Sequence, residues 1–240
     1  MDMQERLIVA LDFPSEQEAL VLVAKLMPRV NFFKVGLELY TAQGRPMVGK
    51  LKDLGARVFL DLKLHDIPNT VAGAVSAATK LGVDMLTLHA SGGKEMLRRA
   101  VAAAAETAVQ AGVPKPLLLA VTVLTSTDQQ VLQRELGVVC SLERQVVRLA
   151  LLAQEAGVDG VVASPLEIEV LRRECGQDFK LVIPGVRPIG TAANDQRRVM
   201  PPKAAMEAGA DYLVVGRPIT RAADPLQAAQ AIIAEMEEGV

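Results

Sequence analysis

Eight short apolar runs rich in β-branched residues recur along the chain, at residues 7–12, 32–39, 57–64, 85–90, 117–124, 160–164, 180–186 and 212–217. Their apolar character is nearly continuous rather than alternating, the pattern of strands covered on both faces in a parallel sheet. Segments with helical spacing lie between them, at 16–27, 71–81, 93–111, 142–156, 166–175 and 202–208. Such alternation demands parallel pairing through right-handed crossovers. Four helix exits share one wording: Leu54-Gly55-Ala56-Arg57, Leu81-Gly82-Val83-Asp84, Ala156-Gly157-Val158-Asp159 and Ala208-Gly209-Ala210-Asp211. Glycine there suits a left-handed C-cap, and the next apolar residues open the following strand. This rhythm predicts an α/β fold, a (β/α)8 TIM barrel with residues 1–240 as a single domain, a usual length for that architecture. The alternative is a doubly wound open sheet, which usually announces a dinucleotide with GxGxxG after its first strand. Here that strand ends Leu11-Asp12-Phe13-Pro14.

Composition narrows the partners. Half the residues are hydrophobic and 22% are charged, enough apolar surface for one large core. Twenty-six basic against 28 acidic residues leave a net charge of −2, with no basic stripe for a polyphosphate backbone. Aromatic residues are only 3% and Trp is absent, so platforms for stacking single-stranded bases are largely missing and no nucleic acid is expected as a partner. The first six residues include Asp2 and Glu5 and lack a cationic leader, and the apolar stretch 7–11 is too short to span a bilayer. A cytoplasmic protein with no membrane partner is the expectation. Cys140 and Cys175 lack CxxC or metal-ligand spacing and read as reduced, structural thiols.

In a barrel, catalytic groups sit at the C-terminal ends of strands. That rule singles out Asp12, Lys34, Asp61 with Lys63, His89, Thr125, Ser164, the turn Pro184–Pro188, and Gly216-Arg217. Charges at the end of an apolar strand run against ordinary burial preferences. Asp61 and Lys63 are two apart on one strand, so their side chains share a face. A structural ion network plugging the barrel mouth is the competing explanation.

The run Asp61-Leu62-Lys63-Leu64-His65-Asp66-Ile67-Pro68-Asn69-Thr70 resembles the signature of the orotidine 5′-monophosphate decarboxylase family, a DxKxxD core extended by Ile-Pro-Asn-Thr. Further segments match in order: Leu11-Asp12, Phe33-Lys34-Val35-Gly36, Pro184-Gly185-Val186-Arg187-Pro188, Asp195-Gln196-Arg197-Arg198 and Val215-Gly216-Arg217-Pro218-Ile219. The resemblance covers essentially the whole chain. It implies a decarboxylase of de novo pyrimidine biosynthesis that needs neither metal nor cofactor. Lys63 would be the proton donor, with Lys34, Asp61 and Asp66 completing an alternating charge array around it. Asp12 and Lys34 would hold ribose hydroxyls, assisted by Thr70; Thr125 would contact the pyrimidine, and Gln196 would bridge base and phosphate. Arg187, Gly216 and Arg217 would bind the phosphate, with Ile67 and Pro184 also at the substrate. The resemblance further implies a homodimer in which Asp66 and Thr70 cross into the partner's site.

Physical chemistry supplies reasons for several of these expectations. Arg217 can grip a phosphate bidentately, and the loops after strands seven and eight of a barrel frequently bind one. The small, polar stretch 188–195 has the composition of a lid. His65 and His89 form no HxH or HExxH pattern and read as structural. Asp224-Pro225, before an apolar repeat at 226–236, reads as an N-cap with Pro at N1. Two other functions stay open. A magnesium-dependent sugar-phosphate decarboxylase or aldolase resembles this family in its DxKxxD run but leaves Ile67–Thr70, Gln196 and Arg187 unexplained. A non-catalytic nucleotide-binding barrel gives no reason to hold like charges near an anionic ligand.

Overall fold

A computed structural model of the chain describes residues 2–27, 29–188 and 200–239. Eight parallel strands close into a barrel in chain order: β1 (Leu7–Ala10), β2 (Phe32–Gly36), β3 (Arg57–Leu64), β4 (Met85–His89), β5 (Leu117–Val121), β6 (Gly160–Val162), β7 (Lys180–Ile183) and β8 (Tyr212–Val215), with β8 pairing back onto β1. The α-helices among the described residues are α1 (Glu16–Leu26), α2 (Leu37–Gln43), α3 (Arg45–Asp53), α4 (Pro68–Lys80), α5 (Lys94–Ala111), α6 (Gln129–Arg134), α7 (Leu142–Glu155), α8 (Ile168–Cys175), α9 (Pro202–Glu207), α10 (Arg217–Thr220) and α11 (Pro225–Glu237). No helix among the described residues is long and apolar enough to cross a membrane.

The strands read as continuously apolar because each has two buried faces, and the structure separates the two cores. Inward-pointing Ile8, Ala10, Phe32, Phe59, Met85, Leu119, Val182, Tyr212 and Val214 fill the barrel. Their neighbours in sequence, among them Leu7, Val9, Phe33, Leu60, Leu86, Leu118 and Leu213, belong to the shell between barrel and helices. Period-two alternation therefore sorts side chains between two apolar layers, not between core and water. At the N-terminal end the barrel is plugged by the Phe32 ring, which meets Tyr212 edge-on at 6.2 Å and carries the Arg57 guanidinium 4.2 Å above its centroid.

Helix starts and stops follow local chemistry. Ser15, Asp128, Ser141 and Asp224 cap α1, α6, α7 and α11 by accepting from backbone N–H groups, and Pro225 follows its cap as the sequence predicts. At the four shared helix exits, Gly55, Gly82, Gly157 and Gly209 all have positive φ, from 69 to 105°. The outcome differs from expectation at several strand ends. The run at 32–39 stops as a strand at Gly36, because Gly36 caps a short helix, α2. The runs at 117–124 and 180–186 stop at Val121 and Ile183. Their apolar tails do not continue the sheet; Val123, Leu124 and Pro184 line a cavity at the mouth.

Candidate active site

The C-terminal ends of β1, β2 and β3 bring four charges into one line. Lys34 Nζ donates to Asp12 Oδ1 at 3.0 Å and lies 3.6 Å from Asp61 Oδ2, while Lys63 Nζ donates to the same Asp61 oxygen at 2.8 Å. Lys34 and Asp61 are each only 9% exposed. Burial alone would raise the Asp61 pKa, but the charges of Lys34 and Lys63 and hydrogen bonds from Lys63 and Thr87 outweigh it and hold the carboxyl below its usual range. Asp61 is thus a fixed anion between two ammonium groups.

The strand that carries this pair is irregular. β3 and β4 are in register at Leu60↔Leu86 and again at Leu64↔Leu88, so Asp61, Leu62 and Lys63 lie opposite the single residue Thr87. Among the described residues Lys63 is the one non-glycine with positive φ, at 51°. That conformation costs a non-glycine residue on the order of 1–3 kcal/mol and persists only where its surroundings over-determine it. The excess of two residues preserves the parity of the strand, so Leu60, Leu62 and Leu64 stay on its outer side against the helices.

Two cavities meet at this line of charges. The larger, of about 560 Å³, is lined by Asp12, Lys34, Pro184, Gly185, Arg187, Gly216, Arg217 and Arg221, among others. The smaller, of about 160 Å³, is bounded by Lys34, Asp61 and Lys63 on one side and by Phe59, Val121, Val123, Leu124, Thr125, Val162, Pro184 and Val214 elsewhere. A polar chamber with arginines thus opens beside an apolar slot of aromatic-ring dimensions, and Lys34, Pro184 and Val214 belong to both. In the polar chamber the buried Arg187 gives one guanidinium N–H to the Val186 carbonyl at 3.0 Å, and its Nε has no hydrogen-bond partner among the described residues. Burial, and then the charge of Arg217, lower the Arg187 pKa. Two guanidinium groups crowded in this way favour a dianionic ligand.

Asp12, Lys34, Asp61, Lys63, Thr125, Pro184, Arg187, Gly216 and Arg217 therefore line one continuous site. Asp66, Ile67 and Thr70 line neither cavity. They sit at the start of α4 with exposed side chains, Ile67 at 67%, and Asp66 Oδ1 accepts from the Ile67 amide at 2.6 Å. Gln196 and most of the stretch 188–195 lie outside the described residues. His65 and His89 pack ring to ring, with centroids 5.3 Å apart. Burial, with the charges of His65 and Lys63, favours neutral His89 against the opposing effect of Asp61. Cys140 and Cys175 are both free thiols.

Two residues escaped the sequence reading. Thr87 Oγ1 donates to Asp61 Oδ1 and accepts from the Lys63 amide, both at 2.9 Å. A neutral residue inside an apolar strand gives no signal of this kind. Gly36, quoted within the segment Phe33–Gly36 but given no role there, is the other: a Cβ at this position would lie 2.7 Å from Lys34 Nζ and 3.2 Å from Asp12 Oδ1. Its place next but one to a strand-end lysine was the available clue.

Comparison with known proteins identifies the family. Residues 5–232 match the model of a family described as "Orotidine 5'-phosphate decarboxylase / HUMPS family". An orotidine 5′-phosphate decarboxylase of Moorella thermoacetica is 55% identical over 237 residues, covering 99% of this chain and 94% of that protein. One from Syntrophomonas wolfei is 50% identical over 239 residues, covering 99% of this chain and 100% of its own length. Among solved structures, an orotidine 5′-phosphate decarboxylase from Lactobacillus acidophilus superposes with a TM-score of 0.85 at 41% identity, covering 97% of this chain and 99% of that one.

Proposed function

The chain belongs to the orotidine 5′-phosphate decarboxylase / HUMPS family, and from that premise we propose that it converts orotidine 5′-monophosphate to uridine 5′-monophosphate and CO2 in pyrimidine biosynthesis, with Lys63 protonating C6. The single observation that carries this reading is the row Asp12, Lys34, Asp61, Lys63 along the edge of an apolar slot. The relatives at 50–55% identity bear the decarboxylase name, which favours this reaction over that of a sugar-phosphate enzyme.

The pyrimidine ring fits the apolar slot, where Thr125 can contact its edge. The phosphate belongs in the polar chamber with Arg187, Arg217 and the Gly216 backbone, and the ribose spans the junction at Asp12 and Lys34. Loss of CO2 from C6 leaves an sp² carbanion with no adjacent electron sink. An ammonium fixed beside C6 stabilises that charge as it develops, then delivers the proton. Asp61 both aims Lys63 and repels the departing carboxylate. Two like charges about 4 Å apart cost roughly 4 kcal/mol at an effective dielectric of 20. Relieved in full at the transition state, that is about three decades of rate. Enzymes in general supply roughly 8–23 kcal/mol, so carbanion stabilisation and phosphate binding must carry at least as much as the repulsion does.

The cation that a metal ion would provide is here Lys63, so neither metal nor cofactor enters the scheme. The site is completed in a cytoplasmic homodimer by Asp66 and Thr70 of a second copy, Ile67 also meets the substrate, and Gln196 takes the role of bridging base and phosphate. The test is turnover of orotidine 5′-monophosphate, followed by absorbance, in wild type and Lys63→Ala. The variant is expected to keep its fold and its affinity for uridine nucleotides while product formation nearly vanishes; wild-type turnover in the variant refutes the assignment.

A further inference from the structure

The β3 irregularity puts three residues against one, and that one is Thr87. A regular parallel ladder would give the Lys63 amide a carbonyl acceptor on a neighbouring strand. Across the shift it finds a side chain instead, Thr87 Oγ1 at 2.9 Å. The same hydroxyl turns its proton to Asp61 Oδ1, also at 2.9 Å, leaving Asp61 Oδ2 for Lys63 and Lys34. Thr87 is fully buried, so water does not compete for either bond. One hydroxyl thus ties together the backbone of a left-handed lysine and the carboxylate that orients its ammonium.

We propose that Thr87 is a positioning residue of the decarboxylation: its hydroxyl latches Lys63 in the left-handed conformation and sets the rotation of the Asp61 carboxylate, and so fixes where the Lys63 ammonium stands relative to C6. This rests on the functional reading above. Threonine suits the task chemically, since a hydroxyl can accept and donate at once, and its methyl group fills the remaining volume on an inward-facing strand position. Valine has the same shape without the hydroxyl. It strands the Lys63 N–H and frees one lobe of the Asp61 carboxylate, so the fault falls on the geometry of the reacting ammonium, not on the phosphate grip at the far side of the site.

The experiment compares wild type, Thr87→Val and Thr87→Ser with orotidine 5′-monophosphate, with thermal unfolding in parallel. Thr87→Val is expected to lower kcat by roughly ten- to a hundredfold, the rate equivalent of losing one charge-assisted hydrogen bond from the reacting groups. KM should stay within about twofold, because phosphate and ribose contacts are untouched. Thr87→Ser, which keeps the hydroxyl, should recover most of kcat. Should the valine variant not fold, Thr87→Ala removes the same hydroxyl and carries the same expectation. Amide hydrogen exchange supplies a readout independent of turnover: the Lys63 N–H should be protected in wild type and Thr87→Ser and exchange faster in Thr87→Val. An unchanged kcat, a loss confined to KM, a serine variant as slow as valine, or unchanged Lys63 protection each overturns the proposal. A wild type that does not turn over the substrate defeats the functional reading instead, and the latch is then decided by exchange alone.

Discussion

At the scale of single residues, the site was legible where charge betrayed it. Asp12, Lys34, Asp61 and Lys63 stood out because ionic groups at the ends of apolar strands need a reason, and the structure joins them by contacts of 2.8 to 3.6 Å. Gly36 was hidden because its contribution is the absence of a side chain. The clash its Cβ would make is with the tip of a flexible lysine, so the lysine, not the backbone, would yield. Gly36→Ala is therefore expected to displace the Lys34 ammonium from Asp12 and Asp61, lowering kcat/KM by about tenfold or more while stability changes by less than about 1 kcal/mol. Steady-state kinetics and denaturant unfolding on one preparation check this; large destabilisation with intact activity would be the opposite result.

At the scale of elements, the existence of each strand is readable and β3 ends at Leu64 as its run does, but the ends of several other strands are not readable. Apolar residues continue from strand to cavity lining with only Thr122 between them, as at Val121, Val123 and Leu124, and hydrophobicity cannot tell a barrel wall from a slot for a ligand. The recurring Gly-Val/Ala-Asp wording has a meaning beyond the helix exit. Asp84, Asp159 and Asp211 precede β4, β6 and β8, and each accepts through a carboxylate oxygen from an amide at the start of the preceding strand: Val58 at 2.7 Å, Leu118 at 2.8 Å and Leu181 at 2.8 Å. Each also pairs with a cation, namely Lys52, Lys115 and Arg172. These bridges pin neighbouring strands at the face opposite the active site, where a barrel invests in stability. Asp211→Ala should destabilise by about 1.5–3 kcal/mol, as expected for lost hydrogen bonds to a charged group. Glu174→Ala, which breaks only the exposed pair with Arg173, should stay within about 0.5 kcal/mol of wild type. Equal effects in chemical denaturation would remove the distinction.

At the scale of the whole molecule, the barrel follows from the chain's rhythm, because eight buried parallel strands separated by helices have few other ways to hide both faces. Asp66 and Thr70 are exposed at the start of α4 and line neither the slot that Lys63 borders nor the polar chamber beside it. That placement suits donation across a two-fold interface. Mixing Lys63→Ala with Asp66→Ala chains should rebuild one intact site in each mixed dimer. With half the dimers mixed and half their sites whole, activity should recover toward about a quarter of wild type. Verified subunit exchange with no recovery would place Asp66 within its own chain or outside the reaction.

The claim that joins the three scales is that Lys63, held by Asp61 and its neighbours, does the work a metal ion would otherwise do. The direct measurement is the rate of uridine 5′-monophosphate formation from orotidine 5′-monophosphate by the wild-type protein before and after exhaustive chelation. The expected result is rapid conversion at a rate that chelation leaves unchanged; no conversion, or activity lost on chelation and restored by Mg²⁺, contradicts it.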